Sequence, residues 1–165
     1  MTRLKKEFEA DGFFGIGVLR SEDSTNIGTL WRSAYILGAS FLFTINRQYK
    51  KQSSDVFRVW SKIPLFHYDT FDDFTANLPY STRIVGAEMV EGAAALSTFE
   101  HPGRAVYLLG SERTGLPPAI LKACHATICL PGHFSLNVAV TGSIILYDRV
   151  SKIKTRLPES GPFKG

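Results

Sequence analysis

Three short segments carry the polar side chains whose types and spacing are most suited to chemistry. In chain order they are Asn26-Ile-Gly-Thr-Leu-Trp-Arg32, Gly110-Ser-Glu-Arg-Thr-Gly115 and Ser135-Leu-Asn-Val138. Together they offer two carboxamides, a carboxylate, hydroxyls and guanidinium groups, which can donate and accept hydrogen bonds to a ligand. Taken singly, each segment also has a plain structural interpretation as a helix cap or a tight turn.

The glycine-rich segment follows Ala105 to Leu109, an apolar run that is typical of a buried strand. A turn between a strand and a helix lies at the carboxyl edge of a parallel sheet, where open α/β folds bind ligands. The segment is not a phosphate-binding P-loop, because Leu116 stands where that motif requires lysine. Gly110 and Gly115 do not match the three-glycine dinucleotide fingerprint either. A tight turn and a ligand-binding turn therefore both stay open at this point.

Asn137 is predicted to lie in a helix that runs from Leu136 to about Val150 and is apolar nearly all round. A carboxamide buried in such a helix costs free energy unless it is hydrogen-bonded, so we expect a specific role for it. A helix this apolar must be buried on several sides, and a subunit interface is one place for that burial.

The chain alternates strand-like and helix-like segments, which positions the three polar segments. Strands are predicted at 13–19, 40–45, 64–68, 83–87, 105–109 and 126–130, and helices at 26–38 with Asn26 as N-cap, 69–77, 117–123 and 136–150. This order predicts an α/β fold with a mainly parallel sheet and helices on both faces. We expect one domain over 1–157 and a disordered tail over 158–165.

Composition limits the class of partner and the compartment. The 165 residues include 19 Lys and Arg against 15 Asp and Glu, and this excess suits a polyanion such as nucleic acid. No signal peptide or membrane span is predicted. With only two cysteines the chain has no disulfide framework, so we expect the reducing cytoplasm as its compartment. Cys124, His125, Cys129 and His133 are close in sequence. The two cysteines bracket the last predicted strand, roughly 16 Å of extended chain, so no metal site is expected.

Together and in this order, the segments resemble the three motifs of the SpoU branch of the SPOUT superfamily of RNA methyltransferases. That branch carries Asn with Arg six positions later, then Gly-x-Glu-x-x-Gly, then Ser-Leu-Asn-Val. The matching residues are Asn26 and Arg32, then Gly110, Glu112 and Gly115, then Ser135, Leu136, Asn137 and Val138. The resemblance runs from about Phe14 to Arg149. The loop Gly132-His-Phe134 is shorter than in many members. This difference bears on the identity of the substrate more than on the type of reaction.

The resemblance implies a minimal, single-domain SPOUT-like methyltransferase whose C-terminal segment forms a deep trefoil knot. It also implies that the knotted loops bind S-adenosyl-L-methionine. The residues that would hold this cofactor are Leu109, Gly110, Ile128, Leu130 and Leu136. Main-chain groups there can bind adenine, while Leu and Ile side chains pack against its faces.

The resemblance further implies a homodimer in which the first motif of one subunit completes the other subunit's site. The reaction implied is methylation of a ribose 2′-hydroxyl in structured RNA, with tRNA favoured over rRNA. The catalytic residues carried over are Arg32, Asn26, Glu112, Ser135 and Asn137. Arg32 is expected to bind the RNA phosphate or the developing alkoxide, because a guanidinium group does not give up its proton in proteins.

Two other functions stay open from the sequence. A non-catalytic RNA-binding protein on the same fold would not bind S-adenosyl-L-methionine. A nucleotide-binding α/β enzyme of another class would bind NAD, although no glycine fingerprint follows the first predicted strand.

Overall fold

The scaffold of the computed structural model is a parallel sheet, and the structure describes residues 12–49, 59–155 and 157–158. Within these residues, strands β1 to β7 span Phe13–Leu19, Phe41–Ile45, Leu65–Tyr68, Arg83–Ala87, Ala94–Ala95, Arg104–Leu109 and Ala126–Cys129. Helices α1 to α4 span Ser24–Ile36, Phe71–Ala76, Pro118–Ala123 and Val138–Lys152. The strands lie in the order β3-β2-β1-β6-β4-β7-β5, and all neighbours run parallel. Residues 159–165 of the predicted tail lie outside the described residues.

Helices cover both faces of the sheet, which confirms the predicted α/β class. On one face α1 and α4 pack over β1, where Ile16, Leu30 and Ile145 are fully buried in the larger core. On the other face α2 and α3 cover a smaller core, in which the rings of Phe43 and Phe74 stack with centroids 4.4 Å apart. The central strands are therefore apolar along their length, because both of their faces are buried.

All four helices begin at residues other than those predicted, and for α1 and α4 the difference moves a motif residue. The N-cap of α1 is Asp23, whose carboxylate accepts a hydrogen bond from the N–H of Thr25 at 2.7 Å. Asn26, predicted as the cap, instead lies in the first turn, because Asp23 already binds the free N–H groups there. Asn137 is the N-cap of α4 and is exposed, so the prediction of a carboxamide inside a buried helix was wrong.

The strand order brings the three polar segments to one edge of the sheet. At the carboxyl ends of the central strands, Val18 lies opposite Leu109, and Ala87 lies between Leu109 and Ile128. The segments that contain Asn26, Gly110 and Ser135 follow β1, β6 and β7, so all of them leave from this edge. This is the position at which parallel α/β sheets bind ligands.

Candidate active site

A cavity of about 320 Å³ opens at the carboxyl edge of the sheet. Its walls are the residues after β4, the turn after β6 and the segment from β7 into α4. The lining residues are 87–89, 109–115, 128–131, 134–136, 138 and 141. A cavity of this size and position can hold a small organic ligand.

All five residues that were predicted to hold a cofactor line this cavity, namely Leu109, Gly110, Ile128, Leu130 and Leu136. Leu109 on β6 and Ile128 on β7 lie on either side of Ala87 on β4, and both are buried, so they form an aliphatic floor. Leu130 is half-buried and Leu136 is exposed, which leaves both side chains accessible to a ligand. The structure therefore assembles the predicted set in one place.

The turn after β6 is tightly closed, and its glycines are required for that shape. Gly115 has a φ of +61°, in the left-handed region, and its N–H donates to the carbonyl of Ser111 at 3.0 Å. A Cβ on Gly110 would overlap the backbone of Gly115. The hydroxyls of Ser111 and Thr114 lie 2.7 Å apart and hydrogen-bond to each other. The backbone on both sides of Glu112 is thereby held in place.

Residues from the three polar segments form one hydrogen-bonded chain. Asn137 Nδ2 donates to Asn26 Oδ1 at 2.9 Å, and Asn26 Nδ2 donates to Glu112 Oε1 at 2.5 Å. Asn137 Oδ1 is also engaged, because it accepts from the N–H groups of Ala139 and Val140 in the first turn of α4. Each amide therefore has one orientation, since reversing either one would bring like groups together.

Ser135 and Arg32 are placed differently from these three residues. Ser135 is exposed and lines the cavity. Arg32 is exposed on α1 and lies outside the cavity lining of the described residues. It follows Asn26 by six residues, or about 1.7 helical turns, so the two side chains leave α1 in different directions. Within one chain, the structure does not bring Arg32 to the other four predicted residues.

Several residues that line the cavity were not predicted as site residues, among them Glu88, Met89 and Phe134. The signal that finds Glu88 and Met89 is their position directly after a strand, since that strand ends at the same edge as β6 and β7. Phe134 is 88% exposed at the cavity, and no pattern in the sequence indicates this exposure. The charged side chains of the lining are therefore two carboxylates, Glu88 and Glu112, and the guanidinium of Arg113.

Neither a metal site nor a membrane-spanning helix is found in the part of the chain that the structure describes. No group of three or more His, Cys, Asp and Glu side chains is placed to hold a metal ion there. No helix among those residues has the length and apolar character needed to cross a membrane. Burial raises the pKa of the Cys124 thiol to about 11, so it stays protonated at neutral pH and is a poor nucleophile.

Known proteins are similar to this chain in sequence and in fold. The 23S rRNA (guanosine-2'-O-)-methyltransferase RlmB of Acinetobacter baylyi is 31% identical over 72 residues, covering 42% of this chain and 29% of RlmB. A solved structure described as giving structural insights into the 2-OH methylation of C/U34 on tRNA has a TM-score of 0.75. It is 25% identical, and the match covers 86% of this chain and 97% of that chain.

The SpoU methyltransferase AviRb from Streptomyces viridochromogenes, solved in complex with AdoMet, has a TM-score of 0.71 at 25% identity. That match covers 84% of this chain and 61% of AviRb. The chain spans only a small part of two curated relatives that it matches, 29% of one and 8% of the other. The family model described as the SpoU rRNA Methylase family, in contrast, matches residues 15–147, which include all three polar segments. This chain belongs to the SpoU rRNA Methylase family.

Proposed function

We propose that this chain is an S-adenosylmethionine-dependent RNA methyltransferase that acts on a ribose 2′-hydroxyl. The observation that carries the proposal is the chain of hydrogen bonds from Asn137 through Asn26 to Glu112. It joins all three family motifs and ends on a residue of the cavity wall. Relatives named as RNA 2′-O-methyltransferases and the AdoMet complex of AviRb support the same activity.

The cavity suits S-adenosylmethionine in shape and in charge. Leu109 and Ile128 offer an aliphatic floor to the adenine ring, and the backbone of the turn after β6 offers polar groups to its edge. The exposed carboxylate of Glu112 favours a ligand that carries cationic ammonium and sulfonium groups. When bound, the cofactor supplies an electrophilic methyl group, and the residues of the chain must bring the ribose hydroxyl into line with it.

The polar residues have separate roles in orienting the ribose hydroxyl and binding the RNA. Asn137 and Asn26 hold the Glu112 carboxylate in one orientation at the cavity wall. The Ser135 hydroxyl is exposed in the same lining and can hydrogen-bond to the incoming ribose. Arg32 binds the RNA phosphate or the developing alkoxide, a task that suits its planar, permanently charged fork. Because Arg32 lies outside its own chain's cavity, we place this action in the cavity of a partner subunit.

The proposed assembly is a homodimer that covers an apolar stripe on α4. Val140, Ile144 and Tyr147 are 46%, 38% and 66% exposed, and their spacing puts them on one face of the helix. Ile36, at the end of α1, is exposed as well, and α1 packs directly against α4. Contiguous exposed apolar residues of this kind mark a protein interface. A second copy of the chain bound here would also explain why Arg32 lies outside the cavity of its own chain.

The proposal includes the C-terminal trefoil knot and tRNA as the preferred substrate. The knot is proposed from the resemblance to the family to which this chain belongs. Support for tRNA comes from the solved structure with a TM-score of 0.75, which concerns tRNA and is covered over 97% of its chain. RlmB, which acts on rRNA, is covered over only 29% of its length.

The activity is tested by single-turnover methyl transfer to bulk RNA, with calorimetric titration of S-adenosylmethionine alongside. Arg32→Ala should abolish transfer and leave the cofactor Kd unchanged, because Arg32 does not line the cavity. Arg83→Ala, at an exposed arginine that begins β4, is the matched control and should behave as wild type. Absence of cofactor binding by the wild-type protein would refute the activity. Near-wild-type transfer by Arg32→Ala would refute the role of Arg32.

Sharing of the site between subunits is tested by mixing two inactive variants. Arg32→Ala and Glu112→Ala are each expected to be inactive alone. If Arg32 completes the partner's cavity, a mixed dimer contains one intact site, and random mixing restores about a quarter of wild-type activity. If Arg32 acts in its own chain, no mixed dimer has an intact site, and the mixture stays inactive.

A further inference from the structure

Glu88 links two walls of the cavity through its backbone and its carboxylate. Its N–H donates to the carbonyl of Ile128 at 3.0 Å, so its backbone is bound to the end of β7. Its Oε2 accepts from the N–H of Leu116 at 2.7 Å, and its Oε1 accepts from the N–H of Met89 at 3.1 Å. One residue thereby connects the ends of β4 and β7 to the end of the turn after β6.

Gly115 provides the space that this carboxylate occupies. A Cβ at Gly115 would overlap Glu88 Oε2, so any other residue there would displace the carboxylate. The positive φ of Gly115 independently favours glycine. The second glycine of the motif thus serves the shape of the turn and the approach of Glu88 at once.

Leu116 fixes the end of the turn after β6 by packing in the smaller core. Its side chain is buried in the smaller core, so packing fixes its position. Its N–H is bound by a carboxylate, and such charge-assisted hydrogen bonds are stronger than neutral ones. The residues just before it, 110–115, all line the cavity. The bond from Glu88 to Leu116 therefore closes the segment that a ligand would contact.

We propose that Glu88 is a positioning residue that sets cofactor affinity by holding the turn after β6 in its binding shape. The inference rests on the proposed function, because it takes the cavity to be the S-adenosylmethionine site. Glu88 acts through the N–H of Leu116 and takes no part in proton transfer. Without Glu88, the KM for S-adenosylmethionine rises, whereas kcat at saturating cofactor is retained because bound cofactor restores the turn.

Three substitutions separate the parts of this role. Glu88→Ala removes both hydrogen bonds, and Glu88→Asp keeps the charge on a shorter side chain. Glu88→Gln keeps one oxygen for the N–H of Leu116 but turns an amino group towards the N–H of Met89. Glu91→Ala is the matched control, since Glu91 is an exposed glutamate three residues away and does not line the cavity.

Binding of S-adenosylmethionine and of its demethylated product is measured by calorimetry, with KM and kcat from methyl transfer. Glu88→Ala should raise both Kd values about tenfold, the size expected for loss of a charge-assisted hydrogen bond. Glu88→Gln should give a smaller rise, and Glu91→Ala none. Circular dichroism at the assay temperature establishes that each variant is folded. If Glu88→Ala does not fold, the Kd of Glu88→Gln is compared with that of Glu91→Ala instead.

Amide hydrogen exchange at Leu116, measured without ligand, tests the contact independently of the activity. Exchange should become faster in Glu88→Ala and stay unchanged in Glu91→Ala. A wild-type Kd in Glu88→Ala, an unchanged exchange rate at Leu116, or a fall in kcat with no change in KM would overturn the inference. If the wild-type protein binds no S-adenosylmethionine, the proposed function fails together with the role in affinity, while the exchange rate still shows whether Glu88 holds the turn.

Discussion

Helix α4 is joined to the rest of the molecule by polar side chains at both ends, and the two ends are built differently. At its amino end, Asn137 binds Asn26, which binds Glu112 beside the open cavity. At its carboxyl end, Asp148 and Arg149 enter a network near the amino ends of β1 and β6. The first connection includes exposed residues, whereas the second centres on buried ones.

Arg149 is the centre of the buried network, and its side chain is 2% exposed. Nη1 donates to the carbonyl of Pro102 at 2.6 Å and to Tyr107 Oη at 3.1 Å, and Nη2 donates to the carbonyl of Gly103 at 2.9 Å. Nε is buried without a hydrogen-bond partner among the described residues. The guanidinium lies 4.6 Å from the centre of the Phe14 ring, a contact that suits a desolvated cation.

His101 extends this network to the end of α4. Its Nδ1 lies 2.6 Å from Tyr107 Oη, and its Nε2 lies 2.8 Å from Asp148 Oδ2, which also binds Lys152 at 2.7 Å. Burial lowers the pKa of His101, and this outweighs the opposing effect of Asp148. The neutral ring fits both contacts, because Nδ1 accepts from the tyrosine O–H while Nε2–H donates to the carboxylate.

The difference between the two ends is one between stability and ligand chemistry. In the buried network, nearly every polar group is used by another group of the protein, so little is left for a ligand. At the amino end, Glu112 is exposed in the cavity wall and retains acceptor capacity for a ligand. Substitutions at the carboxyl end of α4 should therefore change folding stability, and those at its amino end should change catalysis.

The largest effect on stability is expected from Arg149→Met, which keeps an apolar side chain but removes the guanidinium. Three acceptors are left without that donor, at about 1 to 3 kcal/mol each for a buried group. The free energy of unfolding in urea should fall by about 3 kcal/mol or more, while Arg83→Met at an exposed site changes it little. A loss equal to that of Arg83→Met would contradict the comparison.

A smaller loss of stability is expected from Asn137→Ala, because an N-cap is worth about 1 kcal/mol. Asn137→Asp should keep the cap but place a carboxylate oxygen against Asn26 Oδ1. Asn137→Asp should therefore unfold close to wild type and still lose methyl transfer. Denaturation curves and single-turnover transfer on both variants separate the two roles. If methyl transfer by these variants falls only in proportion to their free energy of unfolding, Asn137 acts only as a helix cap.

The buried network also predicts how stability varies with pH. Because the pKa of His101 is lowered in the folded state, the unfolded chain binds the proton first. The contribution of neutral His101 to the free energy of unfolding is therefore complete above pH 6.5. It declines as the pH falls from there towards the pKa of His101 in the folded state. Burial raises the pKa of Tyr107 from 10.0 to about 12, so stability also declines as pH rises above 10.

Melting temperatures from pH 5 to pH 11 measure both effects. His101→Gln offers the same acceptor and donor as the neutral imidazole but does not titrate, so it should flatten the acid side of the profile. The alkaline side should persist in that variant, because Tyr107 is unchanged. An acid side that is as steep in His101→Gln as in wild type would assign the effect to other groups.

The smallest change in stability is expected from Glu112→Gln, within about 0.5 kcal/mol, as for an exposed substitution. Glutamine keeps a carbonyl oxygen for Asn26 Nδ2, so the hydrogen-bonded chain persists without its charge. Methyl transfer should nevertheless decrease, because the carboxylate is lost from the cavity wall. Denaturation and transfer assays test this, and a destabilisation as large as that of Arg149→Met would contradict it.

The sequence predicted the residues around the amino end of α4, because the patterns that mark those residues are local. Alternating strands and helices predict a parallel sheet, and the segments that follow strands meet at one edge whatever the packing details. Six strands were placed to within one residue at each end. The seventh, Ala94–Ala95, was missed, because two exposed alanines have neither apolar alternation nor a β-branched residue.

The contacts between distant segments could not be predicted, and neither could the buried network. The hydrogen bond from Asn137 to Asn26 depends on how closely α4 packs on α1, which Gly142 permits because a Cβ there would overlap Leu30. A sequence pattern places an arginine such as Arg149 at the surface, and only the approach of 102–103 and Tyr107 makes its burial favourable.

The position of β1 in the sheet has a consequence for how the chain folds as it is synthesised. On one side β1 pairs with β2, which follows it closely along the chain, but on the other side it pairs with β6, which begins only at Arg104. Until the ribosome has released that segment, the backbone edge of β1 that pairs with β6 has no partner strand. Unpaired strand edges promote association between chains, and parallel pairing over long separations is slow. A nascent chain that ends before β6 is therefore expected to depend on chaperones and to aggregate when released early.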